Sequence, residues 1–400
     1  MPTISIRNLD VIFGQQITES LKLLDQGKSR QEIIDITGDI VGVQNASLDI
    51  EEGEICVLMG LSGSGKSSLL RAVNGLNVIS RGELLVQDGE RMVDLANCDE
   101  KTLRHLRAKR ISMVFQTFAL MPWLKVIDNV AYGLEVMGMN KNDRHKKAME
   151  QLDMVGLADW KDKYPHELSG GMQQRVGLAR AFAMDSDILL MDEPFSALDP
   201  LIRHQLQEEL ITLQKSLNKT ILFVSHDLDE ALKIGSKIAI MESARIIQCG
   251  APADIVLSPA TPYVENFVAH TNPLNVLEGH TLMTEAKALE QQDGRLLADP
   301  HHQVWLTVEE GKVAGAEMNG SGPLKLQYCE ADQDNQVPAC GTLAMTSPKV
   351  SMRRAIELCY STELPVILVE NGKLEGVLCD QNFYYALLGK HFTASDTAKI

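Results

Sequence analysis

The sequence predicts an α/β protein: a parallel sheet covered by helices on both faces, an inserted helical segment, and a smaller α+β domain after it. Three observations carry this. First, apolar runs of strand length at 55–60, 111–116, 187–192, 220–225 and 237–242 alternate with helical segments. Strands that are apolar on both faces belong to parallel sheets flanked by helices. Second, the pattern between 116 and 187 becomes mainly helical, which places an inserted subdomain at about 117–185. Third, the segment around 257–275 is rich in proline and small polar residues, and a new alternation of elements follows it.

In chain order, 3–12 (TISIRNLDVI) alternate as a strand, and 15–41 read as an insertion of two short helices. Within it Ser29 and Glu32 form a capping box, and Gly38 suits a C-cap. Residues 43–59 return to strand pattern, broken by a turn at Glu51-Glu52-Gly53, and KSSLLRAVNGL after the 55–60 strand is a helix. The first domain is expected over 1–270 and the second over 276–400. In the second, 351–389 read helix, strand, hairpin, strand, helix, with the turn at Glu370-Asn371-Gly372; Asn-Gly is a strong hairpin signal. Residues 281–320, containing VWLTVEEGKVAGAEM, read as a weaker copy of that plan.

Composition excludes several classes. Four hundred residues exceed one compact core, and a net charge of −16 argues against a general nucleic-acid binder. No stretch approaches the roughly 20 apolar residues that span a bilayer, and MPTISIRNLDVIFG lacks the basic and apolar regions of a signal peptide. A location at the cytosolic side is therefore expected. Seven scattered cysteines without a CxxC pair suit reduced thiols rather than a metal site.

The chemistry lies in four places. Gly60-Leu61-Ser62-Gly63-Ser64-Gly65-Lys66-Ser67, with Ser68 behind it, follows a buried strand and opens a helix, as a phosphate-binding loop must. Its glycines let backbone N–H groups turn toward a β-phosphate, the helix adds the positive end of its dipole, Lys66 reaches the β- and γ-phosphates, and Ser67 can ligate Mg²⁺. ILLMDE (188–193) delivers an acidic pair at the carboxyl end of a strand, with Asp192 suited to Mg²⁺ and Glu193 to polarise a water as general base. Leu168-Ser169-Gly170-Gly171-Met172-Gln173-Gln174-Arg175 opens a helix and makes a second anion site. His226 ends the strand TILFVSH.

With LSGG present, the chain resembles the ABC ATPases over about 1–265. The resemblance implies a P-loop cassette in which Ser169, Gly170, Gly171 and Gln173 face the ATP of a second copy, so a homodimer with two sandwiched nucleotides. It also implies that Gln116 contacts Mg²⁺ and links to the helical subdomain, that Asp199 in Ser196-Ala197-Leu198-Asp199 reaches across the dimer, that His226 contacts the γ-phosphate, and that Phe13 stacks on adenine. The 15–41 insertion, MGLSGSGKSS, VFQTFALMPWLKVIDNVAYGLEVMG and the second domain narrow the resemblance to the ATPase subunits of importers for glycine betaine, proline betaine and choline. These imply a membrane permease as partner, received near Phe118–Trp123, an extracytoplasmic solute-binding protein acting indirectly, and a peripheral place at the cytoplasmic face. They also imply a C-terminal pair of CBS modules. The ribose-binding pattern of those modules falls on Gly376, Cys379 and Asn382, where its hydroxyl and carboxylate are missing, so packing, dimerisation or ionic-strength sensing is expected there instead of nucleotide binding. A soluble ABC ATPase of DNA repair or translation is the alternative reading.

Overall fold

The computed structural model describes residues 2–269, 277–319, 322–331 and 338–388, and the chain divides into two compact units, 1–252 and 253–400. The first unit holds, in order, β1 (Ile4–Phe13), α1 (Ile17–Asp25), α2 (Arg30–Thr37), β2 (Ile40–Ile50), β3 (Ile55–Met59), α3 (Lys66–Val73), β4 (Arg81–Asp88), β5 (Arg91–Asp94), α4 (Glu100–Lys109) and β6 (Ile111–Val114). There follow α5 (Val126–Val136), α6 (Lys141–Met154), α7 (Gly170–Ala183), β7 (Ile188–Asp192), α8 (Pro200–Leu217), β8 (Thr220–Val224), α9 (Leu228–Ile234), β9 (Lys237–Glu242) and β10 (Arg245–Gly250).

The main sheet has the order β10-β9-β3-β8-β7-β6, parallel except for the edge strand β10. Every residue of β3, β6, β7 and β8 is buried, which is why these strands read as unbroken apolar runs. The expectation of one sheet is corrected by a second, antiparallel one, β2-β1-β4-β5. It shares a core with the main sheet, in which Ile4, Ile6, Leu48 and Val86 pack with Leu58, Leu69 and Leu190. The helices α5, α6 and α7 supply the inserted subdomain.

The 15–41 insertion sits at the tip of the β1–β2 hairpin, because Phe13 and Ile40 are paired across it. It is anchored at its base. Asp39, 2% exposed, accepts from the backbone N–H of Gln15 and Gln16 and from the Ser20 hydroxyl. Leu23, Leu24 and Ile33 then close a small core with Ile12, Val41 and Ala244. The capping box of Ser29 and Glu32 forms, and Gly38 ends α2 in the left-handed region, so the helix boundaries are set locally.

The boundary of the second unit differs from the expected connector. Helices Pro252–Leu257 and Pro262–Val268 occupy most of 252–268. Pro262 sits in the first turn behind the Thr261 N-cap, where the missing N–H of proline costs nothing. Residues 270–276 lie outside the described residues. The helix, strand, hairpin, strand, helix order is present as Met352–Thr362, Val366–Glu370, Lys373–Leu378 and Asp380–Leu388. The expected weaker copy at 281–320 is not one. Its hairpin, Val304–Glu309 with Lys312–Met318, forms as expected but belongs to a five-stranded antiparallel meander that, among the described residues, lacks the flanking helices of the plan. Alternation within one hairpin reports strands and carries no information on which neighbours they recruit. Asn382 is a strut here: its amide donates to the Leu282 carbonyl and its oxygen accepts from the Cys379 N–H. A Cβ on Gly376 would lie 2.6 Å from the Thr284 carbonyl oxygen, so this position serves close backbone packing.

All seven cysteines are free. Among the described residues no helix is long and apolar enough to cross a membrane, and no group of three His, Cys, Asp or Glu could by itself hold a metal.

Candidate functional site

The parallel register brings distant residues to one edge of the main sheet. Leu58 and Asp192 both pair with Val224, and Val114 pairs with Met191. The chain therefore leaves β3, β6, β7 and β8 side by side. Gly60, Gln116, Glu193 and His226 follow these strand ends, at the carboxyl edge where open α/β sheets bind ligands.

The phosphate-binding loop wraps the start of α3. Gly65 has φ 104°, and a Cβ there would come within 2.3 Å of the Gly42 carbonyl oxygen, so only glycine closes this turn. Lys66 is 6% exposed and its ammonium donates to the carbonyls of Gly60 at 2.7 Å and Leu61 at 3.0 Å. Burial lowers its pKa, and the charges of Glu193 and Asp192 oppose that shift. Ser67 donates to Asp192 Oδ1 at 2.7 Å, and Arg71 reaches Oδ2 at 3.2 Å. Asp192 is fully buried, so the serine hydroxyl and carboxylate are held as a fixed pair of oxygen donors.

Glu193 lies just beyond the strand with φ 48°, a left-handed conformation that turns its side chain into the cleft. Its Oε2 is 3.2 Å from Gln116 Nε2 and 3.3 Å from His226 Nδ1. Three side chains from three strand ends thus meet on one carboxylate oxygen. The turn carrying His226 is braced from below: Ser225 donates to the buried Glu230 carboxylate and accepts from the Asp227 N–H, while Gln207 donates to the other Glu230 oxygen. Burial raises the Glu230 pKa.

A cleft of about 640 Å³ joins these groups, a size suited to a small-molecule ligand. Its walls include Ser62, Gly63, Gly65, Lys66, Ser67 and Ser68 on one side and Gln116, Glu193 and His226 on another. Phe13 and Ile40, paired across the β1–β2 hairpin, are also in its wall. A Cβ on Gly42 would lie 2.5 Å from the Phe13 ring, so glycine at 42 is what lets the ring lie against the strand beside Ser68. Gly60 and Ser64 support Lys66 from within, and Asp192 reaches the cleft through Ser67.

The other expected residues are not brought to this cleft. Ser169 caps α7 and accepts from the Met172 N–H, with Gly170 and Gly171 in the first turn. Gln173 turns back to the carbonyls of Pro165 and Leu168. Asp199 caps α8 through the Ile202 N–H. None of these lines the cleft that Lys66 faces.

Sequence reasoning missed three connecting residues. Gln174, 1% exposed, donates to the Glu193 carbonyl and accepts from the Ala197 N–H, joining α7 to the turn that holds Glu193. Arg180 donates to the carbonyls of Phe118 and Ala119 and so joins α7 to the loop after Gln116; burial lowers its pKa. Arg30, the first residue of α2, donates to the Gly63 carbonyl at 3.1 Å from within the insertion. Their partners are backbone groups distant in sequence, which no motif spacing reports.

Comparison with known proteins finds relatives over most of the chain. Residues 43–196 match the ABC transporter family. The glycine betaine/carnitine transport ATP-binding protein GbuA of Listeria monocytogenes is 40% identical over 97% of this chain and 98% of its own length. The glycine betaine/proline betaine transport system ATP-binding protein ProV of Escherichia coli is 52% identical over 66% of this chain, and the chain spans 65% of that relative's length. Among solved structures, a dimeric structure of MJ0796, a bacterial ABC transporter cassette, is 29% identical over 62% of this chain and 98% of its own, with a TM-score of 0.54.

Proposed function

Since this chain belongs to the ABC transporter ATP-binding family, we propose that it hydrolyses MgATP as a homodimer and powers import of a quaternary-amine solute such as glycine betaine through a separate membrane permease. The observation that carries the reading is the meeting of Gln116, Glu193 and His226 in the cleft lined by Lys66 and Ser67.

The roles follow from position. Backbone N–H groups of the 60–67 loop and the Lys66 ammonium bind the β- and γ-phosphates, and Phe13 with Ile40 offers the adenine an apolar wall. Ser67 and Asp192, already paired and both oxygen donors, are where a magnesium ion fits; its charge would offset that of the phosphates. Glu193 takes a proton from the attacking water, and Gln116 and His226 hold its carboxylate in place. The Ser169–Gly171 helix start lies away from this cleft, so the site is completed by the same motif of a second copy, consistent with the dimeric cassette it resembles. Closure excludes water and makes the surrounding donors effective in the transition state.

The transported solute is drawn from the relatives, whose names specify glycine betaine with proline betaine or carnitine. The same relatives are transport proteins, which disfavours the reading as a DNA-repair or translation ATPase. Residues 276–400 act as a regulatory unit, CBS-like in its 351–388 part, that packs or senses ionic strength, and the protein sits peripherally at the cytoplasmic face, served by an extracytoplasmic solute-binding protein.

Glu193→Gln tests the mechanism. Its MgATP binding should persist, turnover should fall by about 10²–10⁴-fold, and size-exclusion chromatography with MgATP should show a dimer. Wild-type turnover would reject Glu193 as the base, and a strict monomer would reject the shared site. Co-purification of the full chain with a multispanning permease, rather than ribosomes or DNA, tests the transport role.

A further inference from the structure

The 15–41 insertion does more than lengthen a hairpin, because it places one charged group at the nucleotide cleft. Its other basic residues are committed. Lys22 is 3.2 Å from Glu19, and Lys28 is 2.8 Å from Glu32. Arg30 forms no ion pair among the described residues. One guanidinium nitrogen, Nη1, donates to the Gly63 carbonyl, and its buried Nε has no hydrogen-bond partner among the described residues. The side chain lines the same cleft as Ser62, Gly63 and Lys66.

Position and rigidity are both set by the fold. Ser29 and Glu32 fix the start of α2, so Arg30 is its first residue. The Asp39 anchor and the Ile33 core fix α2 against the sheet. A guanidinium presents five donors in a planar fork, and no carboxylate within ion-pair distance neutralises this one among the described residues. A cation with spare donors, mounted on a phosphate-binding loop, matches a polyphosphate chain.

We propose that Arg30 is a nucleotide-binding residue, a second cation beside Lys66 that recognises the polyphosphate of the bound nucleotide and makes the insertion part of the ATP site. The assignment rests on the nucleotide site proposed above. It gives the insertion a specificity role: Arg30 adds to the affinity for nucleoside di- and triphosphates and adds nothing for the nucleoside.

The test measures displacement of a fluorescent ATP analogue from the full chain by MgATP, MgADP and adenosine, for wild type, Arg30→Ala, Arg30→Gln and Arg30→Lys. A charge-assisted hydrogen bond is worth enough that Arg30→Ala should weaken MgATP and MgADP by about tenfold or more, with adenosine changed less than about twofold. Arg30→Gln keeps a donor for Gly63 but loses the charge, and should resemble Arg30→Ala. Arg30→Lys should recover part of the loss. The slope of log Kd for MgATP against log salt should also flatten in Arg30→Ala and Arg30→Gln. Equal losses for adenosine and MgATP, rescue by Arg30→Gln, or no loss at all would each overturn the proposal. Failure of the nucleotide reading itself looks different: wild type would then not bind MgATP, and Lys66→Ala would change nothing.

Discussion

Replacing Gln174 by leucine isolates the contact between the signature helix and the base-bearing turn. The side chain is 1% exposed and makes two hydrogen bonds, donating to the Glu193 carbonyl at 3.2 Å and accepting from the Ala197 N–H at 3.0 Å. Leucine keeps most of the volume, so little cavity cost arises. Two bonds at about 1 kcal/mol each give a loss of about 2 kcal/mol. The larger penalty of orphaned buried groups does not apply in full. The Glu193 carbonyl keeps the Ser196 hydroxyl at 3.0 Å, and Ala197 is an exposed residue. At about 2–4 °C per kcal/mol for a unit of this size, the melting temperature of the first unit should fall by about 4–8 °C. The same change frees the turn that aims Glu193, while Lys66 and Ser67 stand on a different strand end. Turnover should therefore fall by about tenfold or more with KM for MgATP changed less than about twofold. The assays are differential scanning fluorimetry and steady-state phosphate release. An unchanged melting temperature together with unchanged kcat would refute this account of α7 as a positioning element.

Two further outcomes follow from the same geometry. Gly65→Ala places a Cβ 2.3 Å from the Gly42 carbonyl oxygen on a backbone with φ 104°, which should cost about 1–3 kcal/mol and abolish MgATP binding; a variant that binds MgATP like wild type would show that the loop tolerates a side chain. The Glu32 carboxyl is held down to about 2, first by the Lys28 ammonium and then by the Ser29 backbone and hydroxyl. A depressed carboxyl stabilises the fold above its ordinary value and loses that contribution as pH falls through its folded value. The advantage in melting temperature of wild type over Glu32→Ala should hold from pH 7 to about 5 and shrink toward pH 2; an advantage that grows with acidity would contradict it.

Much of the site was legible because its chemistry is local. The 60–67 loop, the Asp192-Glu193 pair and the serine-capped start of α7 each consist of residues adjacent in sequence whose backbone makes the anion site, so spacing and the flanking strand or helix suffice to find them. The capping box at Ser29 and the Asn371-Gly372 hairpin were readable for the same reason. The antiparallel sheet β2-β1-β4-β5 and the meander at 291–323 were not, since a strand pattern states which face is buried and leaves the choice of neighbour open.

By itself, then, the sequence determined the nucleotide-binding motifs, the α/β alternation of the first unit and the ends of α2, all consequences of backbone geometry over a few residues. Only the tertiary structure decided that Gln116, Glu193 and His226 share one oxygen, that pairing of Phe13 with Ile40 returns the chain to the cleft after a long insertion, and that Arg30 and Gln174 serve it. Those meetings depend on sheet order and register, and these are set by the summed burial of two sheets and their helices, not by any short stretch of chain.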